Sequence, residues 1–199
     1  MDTLGYDYEK FQTVTKDYFK LTMFRIVGPK GEVAENEAAE TSGNAKRSLL
    51  FMHGSMMDAE TWMQYQATGG RKPLFLQLVD QGYDVWMGNG RGTKYSNGND
   101  RYYYADSAFN DGQTKMKYNY SFVEMGKYDL NSMVKIMREQ NPDNKVTYIG
   151  YQQSTTSMLY ALTQDKDASL SSAIDKAIFL APCLFPATLG AEKYDSFFS

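Results

Sequence analysis

Three short apolar runs, each closed by a glycine-bearing turn, constrain this chain more than any other feature. They are "LLFMHG" (residues 49–54), "YDVWMGNGRG" (83–92) and "KVTYIG" (145–150). Each is too short for a typical helix and reads as a strand buried on both faces. Stretches with helical spacing follow them. "KPLFLQLVDQG" sets Leu74 and Leu78 four apart and has a glycine stop at Gly82. "SFVEMGKYDLNSMVKIMREQ" is the best helix in the chain, with Ser121 and Glu124 forming an S-x-x-E capping box. Its residues Phe122, Met125, Leu130, Met133, Val134 and Met137 share one broad face, and Asn141-Pro142 ends it. A further helix from about Ser154 to Thr163 precedes a last strand, "KAIFLAP". Strands alternating with helices predict βαβ units and a mostly parallel sheet with helices on both faces.

Upstream, "EKFQTVTKDYFKLTMFRIVG" alternates apolar and polar residues around Lys16-Asp17 and predicts a β-hairpin at the sheet edge. Residues 29–48 read as a solvated loop, and residues 97–119 are polar and tyrosine-rich without clear periodicity. No internal repeat or domain boundary is visible, so 1–199 is expected to form a single domain.

Several function classes drop out. Net charge of −3 leaves no basic stripe for nucleic acid. One cysteine, Cys183, cannot make an internal disulfide. The start, "MDTLGYDYEKFQ", has neither a basic nor an apolar signal region, and no apolar run is long enough for a membrane span. The Gly88, Gly90, Gly92 loop fits neither G-x-G-x-x-G nor a P-loop, so no nucleotide, other cofactor or metal is expected; Arg91 there reads as a structural donor. The compartment stays open.

Parallel sheets place chemistry at strand carboxyl ends. The turn Gly150-Tyr151-Gln152-Gln153-Ser154 has the frame of a G-x-S-x-G nucleophile elbow, but its central position holds glutamine. An amide is neither acidic nor nucleophilic at neutral pH. Ser154 is the nearest hydroxyl and, once in the helix, points away from where an elbow presents its side chain. The one histidine, His53, lies in an early HG turn, upstream of the elbow, whereas the base of an α/β-hydrolase follows the nucleophile. Nucleophile and base are both missing from their expected places.

In order along the chain, "GYDYEKFQTVTKDYF", "LLFMHGSMMDAETWM", "LVDQGYDVWMGNGRGTKYS", "YSFVEMGKYDLNSMV" and "YIGYQQSTT" resemble successive segments of the acid lipase family of α/β-hydrolases, the lysosomal and gastric type. The resemblance implies a truncated α/β-hydrolase fold, without that family's last strands, cap region, acid and histidine. It implies that Tyr151 stands for the family's histidine, Gln152 for its serine and Ser154 for a glycine. It also makes Ser55 and Gln153 the oxyanion-hole positions and His53-Gly54 the HG motif. On that basis no catalytic residue is expected, and Gly150, Tyr151 and Ser154 are a vestigial elbow.

The expected function is that of a catalytically inactive, lipase-like structural or interaction subunit of a larger assembly. The strand at Lys176 to Pro182 would be its open edge, covered by other protein subunits. The alternatives are a lipid-binding module and a lipid or ester hydrolase completed by sequence or a partner beyond this chain.

Overall fold

The computed structural model describes residues 4–31, 46–63, 71–101 and 117–183. The loops read at 29–48 and 97–119 lie largely outside them. The hairpin forms as expected: β1 (Tyr6–Val14) pairs antiparallel with β2 (Lys20–Pro29). The three buried runs become β3 (Ser48–Met52), β4 (Asp84–Asn89) and β5 (Val146–Tyr151), and "KAIFLAP" overlaps β6 (Ile174–Leu180), which starts two residues earlier and ends before Ala181-Pro182. The six strands are ordered β1-β2-β4-β3-β5-β6. β4, β3, β5 and β6 run parallel, and β2 joins β4 antiparallel.

Alternation along the central strands divides the core in two, because successive side chains leave a strand on opposite faces. Leu50, Met52, Trp86 and Tyr148 point to one face; Leu49, Phe51, Val85, Met87 and Ile149 point to the other. Fully burying each large apolar side chain contributes roughly 1.5–3 kcal/mol.

The second face is covered by α1 (Leu74–Asp80) through Phe75, Leu76 and Val79. This corrects the expected Leu74/Leu78 stripe. Leu74 is 55% exposed, because it opens the helix just after Pro73 and its side chain misses the sheet. Gly82 follows with φ +84, a left-handed conformation that glycine adopts without a Cβ clash. A single 3₁₀ turn (Ala59–Met63) packs Ala59 beside α1.

The first face is covered by one long helix, α2. It comprises an α-helical start at Phe122–Glu124, a π-helical turn at Met125–Leu130 and an α-helical remainder at Asn131–Gln140. The capping box is present: Ser121 Oγ accepts from the Val123 N–H, and Glu124 accepts from the Ser121 N–H. Leu130, Met133, Val134 and Met137 bury fully against the sheet, whereas Phe122 and Met125 are only half-buried. The π turn rotates the two ends of the helix relative to each other. Beside it lie α3 (Gln153–Thr163) and α4 (Ser169–Ala173), the latter a short helix in a stretch to which the sequence pattern assigned no element.

Gly126 sets the distance between α2 and α3. A Cβ there would stand 2.4 Å from the Ser157 carbonyl oxygen and 3.3 Å from the Ala161 nitrogen. Among the described residues, no helix is long and apolar enough to cross a membrane.

Candidate active site

Register brings the strand ends together: Met52 lies opposite Gly88 on one side and Gly150 on the other. His53-Gly54-Ser55, the 88–92 loop and the Gly150–Ser154 turn therefore meet at one edge of the sheet. They border a cleft of about 550 Å³, lined in part by His53, Ser55, Gly90, Gln153 and Ser157.

Between β5 and α3, Gln152 has φ 52 and ψ −115, a conformation that L-residues rarely adopt. Such a position costs on the order of 1–3 kcal/mol and persists only where its surroundings hold it. Here they do. The Gln152 N–H donates to the Leu180 carbonyl at 3.0 Å, and the Gln152 carbonyl accepts from the Thr155 N–H at 3.0 Å and the Thr155 hydroxyl at 2.6 Å. Thr155 Oγ1 in turn accepts from the Cys183 N–H at 3.1 Å, and the Thr156 hydroxyl donates to the Cys183 carbonyl. The two threonines of "QQSTT" thus anchor the start of α3 to the segment after β6. A strand-to-helix elbow is present with its strain intact, and glutamine occupies its apex.

The Gln152 side chain folds back over the HG turn. Its Oε1 accepts a hydrogen bond from the Ser55 N–H at 2.8 Å. Gly54 makes room for it, since a Cβ at that position would stand 2.6 Å from Oε1. The resemblance assigns the Ser55 N–H to the oxyanion hole, and the contact gives that donor an amide oxygen from the chain itself.

Ser154 is buried and committed. Its Oγ accepts from the Tyr151 N–H at 2.8 Å and lies 3.1 Å from the Met52 carbonyl and 2.9 Å from the Tyr151 carbonyl, either of which can take its proton. It therefore braces β5 to β3. Gly150 sits above it: a Cβ there would stand 2.6 Å from the Tyr148 ring and 3.1 Å from Ser154 Oγ. Tyr151 is half-buried, with its ring edge-to-face to Trp62 at 6.3 Å.

His53 is buried and both ring nitrogens are engaged. Nε2 accepts from the Gly90 N–H at 3.0 Å, so Nδ1 carries the proton and donates to the Gly54 carbonyl at 2.8 Å. It cross-links the ends of β3 and β4 as a neutral ring. Burial lowers its pKa below the usual histidine value, and the Gly54 carbonyl opposes that shift. A depressed folded-state pKa means that stability is present above the unfolded value of about 6.5 and is lost as pH falls through the folded one. His53 is the one histidine in the chain, so its imidazole proton resonances are unambiguous. They are expected to stay in the neutral form at pH 6.5 and to move only in more acidic solution. A midpoint at or above 6.5 would contradict the bonding described.

Arg91 is confirmed as a structural donor. Its Nε and one terminal nitrogen donate to Asp129 Oδ1 at 2.9 and 2.7 Å, and its backbone N–H donates to Asp129 Oδ2 at 3.0 Å. The two terminal nitrogens reach Asp17 at 2.6 and 3.0 Å. Phe19 lies 4.2 Å from the guanidinium carbon as a cation–π partner. Burial raises the Asp129 carboxyl to about 6 against the pull of Arg91, which leaves it a carboxylate at neutral pH. The cluster ties the β1–β2 turn, the 88–92 loop and α2 together behind the cleft. Sequence reading missed both aspartates, since Asp17 looks like a hairpin-turn residue and Asp129 like a polar helix position. Among the described residues, no group of three or more His, Cys, Asp or Glu could hold a metal ion.

Comparison with known proteins agrees with the motifs. Residues 1–66 match the model of a partial α/β-hydrolase lipase region. A probable lipase of Schizosaccharomyces pombe is 30% identical over 186 residues, 93% of this chain and 37% of that protein. Mouse gastric triacylglycerol lipase is 32% identical over 179 residues, 89% of this chain and 40% of the lipase. The chain therefore spans well under half the length of these relatives. A Pyrococcus furiosus esterase superposes with a TM-score of 0.61 at 18% identity, covering 99% of this chain and 60% of the esterase, which supports the fold. The shared segments are the N-terminal part of the lipase pattern, and over them the chain is similar to the lipase-like α/β-hydrolases.

Proposed function

We propose that this chain is a lipase-fold protein that does not hydrolyse esters and acts through protein contacts. The carrying observation is the elbow: its strained apex presents a carboxamide, which no neighbouring base can turn into a nucleophile. Two further contacts support the reading. Ser154 is enclosed beneath the turn, and His53 spends both nitrogens on backbone groups. The protein-contact half draws on β6, the edge of the described sheet, where Ile178 is 46% and Leu180 37% exposed. An apolar edge of this kind pairs readily with further polypeptide.

Hydrolysis is the competing reading, favoured by the names of the relatives above. The two separate on turnover of p-nitrophenyl butyrate by the wild-type chain, Gln152→Ala and His53→Ala. The proposal expects all three at the buffer rate. A wild-type rate that collapses in either variant would establish an enzyme.

A further inference from the structure

We infer that Gln152 is an internal ligand of the oxyanion hole: its carboxamide stands where an acyl carbonyl would, and the hole behind it is still built to take a carbonyl oxygen. Three observations converge. Ser55 borders the cleft at the end of the HG turn, and that turn is fixed by the His53 bonds to Gly54 and Gly90. Gln152 Oε1 meets that N–H at 2.8 Å, across 97 residues of sequence. Gly54 has no side chain to block the approach, and any Cβ there would collide with Oε1.

A backbone N–H aimed at a carbonyl oxygen is the elementary part of an oxyanion hole. A carboxamide oxygen presents the same lone-pair geometry as the carbonyl of an ester or amide ligand, and it is a stronger acceptor than an ester's. Being tethered, it competes with any such ligand at a high effective concentration. The hole is thus closed to acyl groups while Gln152 is in place, and shortening one side chain opens it. The cleft beside it, bordered by Ser55 and Gln153, remains accessible.

This inference rests on the non-hydrolytic reading of the same elbow, but the two fail separately. Ester turnover with a protected Ser55 amide would remove that reading alone. A rapidly exchanging Ser55 amide in an inert protein would remove this one alone.

The test is hydrogen exchange of the Ser55 amide by NMR. In the wild type it is expected to be slow. In Gln152→Ala it should quicken about ten-fold, the scale of one hydrogen bond. Gln152→Glu keeps an acceptor oxygen and should keep the amide slow. Acetamide should slow the exchange again in Gln152→Ala and leave the wild type unchanged. If the alanine variant does not fold, Gln152→Gly removes the same amide while relaxing the backbone. Equal exchange in wild type and variant overturns the inference. So does a folded variant on which acetamide has no effect, because its hole would then not be a carbonyl site.

Discussion

Asp129→Ala is expected to destabilise the fold by about 3–5 kcal/mol, the scale for breaking a buried ion pair. The side chains of Arg91 and Asp129 are each 1% exposed, so removing the carboxylate leaves a guanidinium edge and a backbone N–H without acceptors. Asp17 cannot take over, as it already holds the terminal nitrogens from the opposite side and is 28% exposed. Asp129→Asn should cost nearly as much. Both carboxylate oxygens accept from Arg91, and an amide can offer only one acceptor. Urea denaturation checks this, as a fall in the midpoint at unchanged slope. A loss below about 1 kcal/mol would mean that the cluster is not dry. Replacing the partner too, as Asp129→Leu with Arg91→Met, should recover part of the loss, because it removes the buried donors left without acceptors, while Asp17, 28% exposed, can turn to solvent.

Gly126→Val is the second large effect, about 2–3 kcal/mol, within the range for forcing side chains into a packed interface. Gly126→Ala is the sharper test of the cause. Helix propensity alone favours alanine by about 1 kcal/mol. At this position the added carbon meets a backbone oxygen of α3 at 2.4 Å, and backbone cannot rotate away. Both variants should therefore unfold at lower urea, valine the lower. If Gly126→Ala proves more stable than wild type, α2 and α3 can separate at no cost. The displacement would reach the cleft, because α3 begins at Gln153, next to the elbow apex.

Much of this molecule was legible in the sequence where local physics decides. The hairpin around Lys16-Asp17 and the buried strands follow from period and turn chemistry. The capping box of Ser121 and Glu124 is a spacing rule that the structure reproduces atom by atom. The elbow frame was visible as well, with its glutamine. Other features depend on partners distant in sequence. The spacing of Leu74 and Leu78 could not say which side of α1 meets the sheet. Asp17, Arg91 and Asp129 come from three separate segments, and nothing local marks them as one cluster. The π turn at Met125–Leu130 was not legible, since an α-helical period placed Met125 and Leu130 on one face and only Leu130 is fully buried. The Gln152 amide in the hole needed coordinates, since its contact with Ser55 joins the ends of two strands.

The most direct test of the central claim is the intact mass of the protein after incubation with a fluorophosphonate, which phosphonylates activated serine hydroxyls. The longest natural form of the chain should be used, so that any acid and base carried elsewhere are included. The account predicts an unchanged mass, because the elbow apex is an amide and Ser154 is enclosed. Stoichiometric addition of one phosphonyl group, mapped to a serine at this cleft, would contradict it and make the protein an enzyme with a relocated nucleophile.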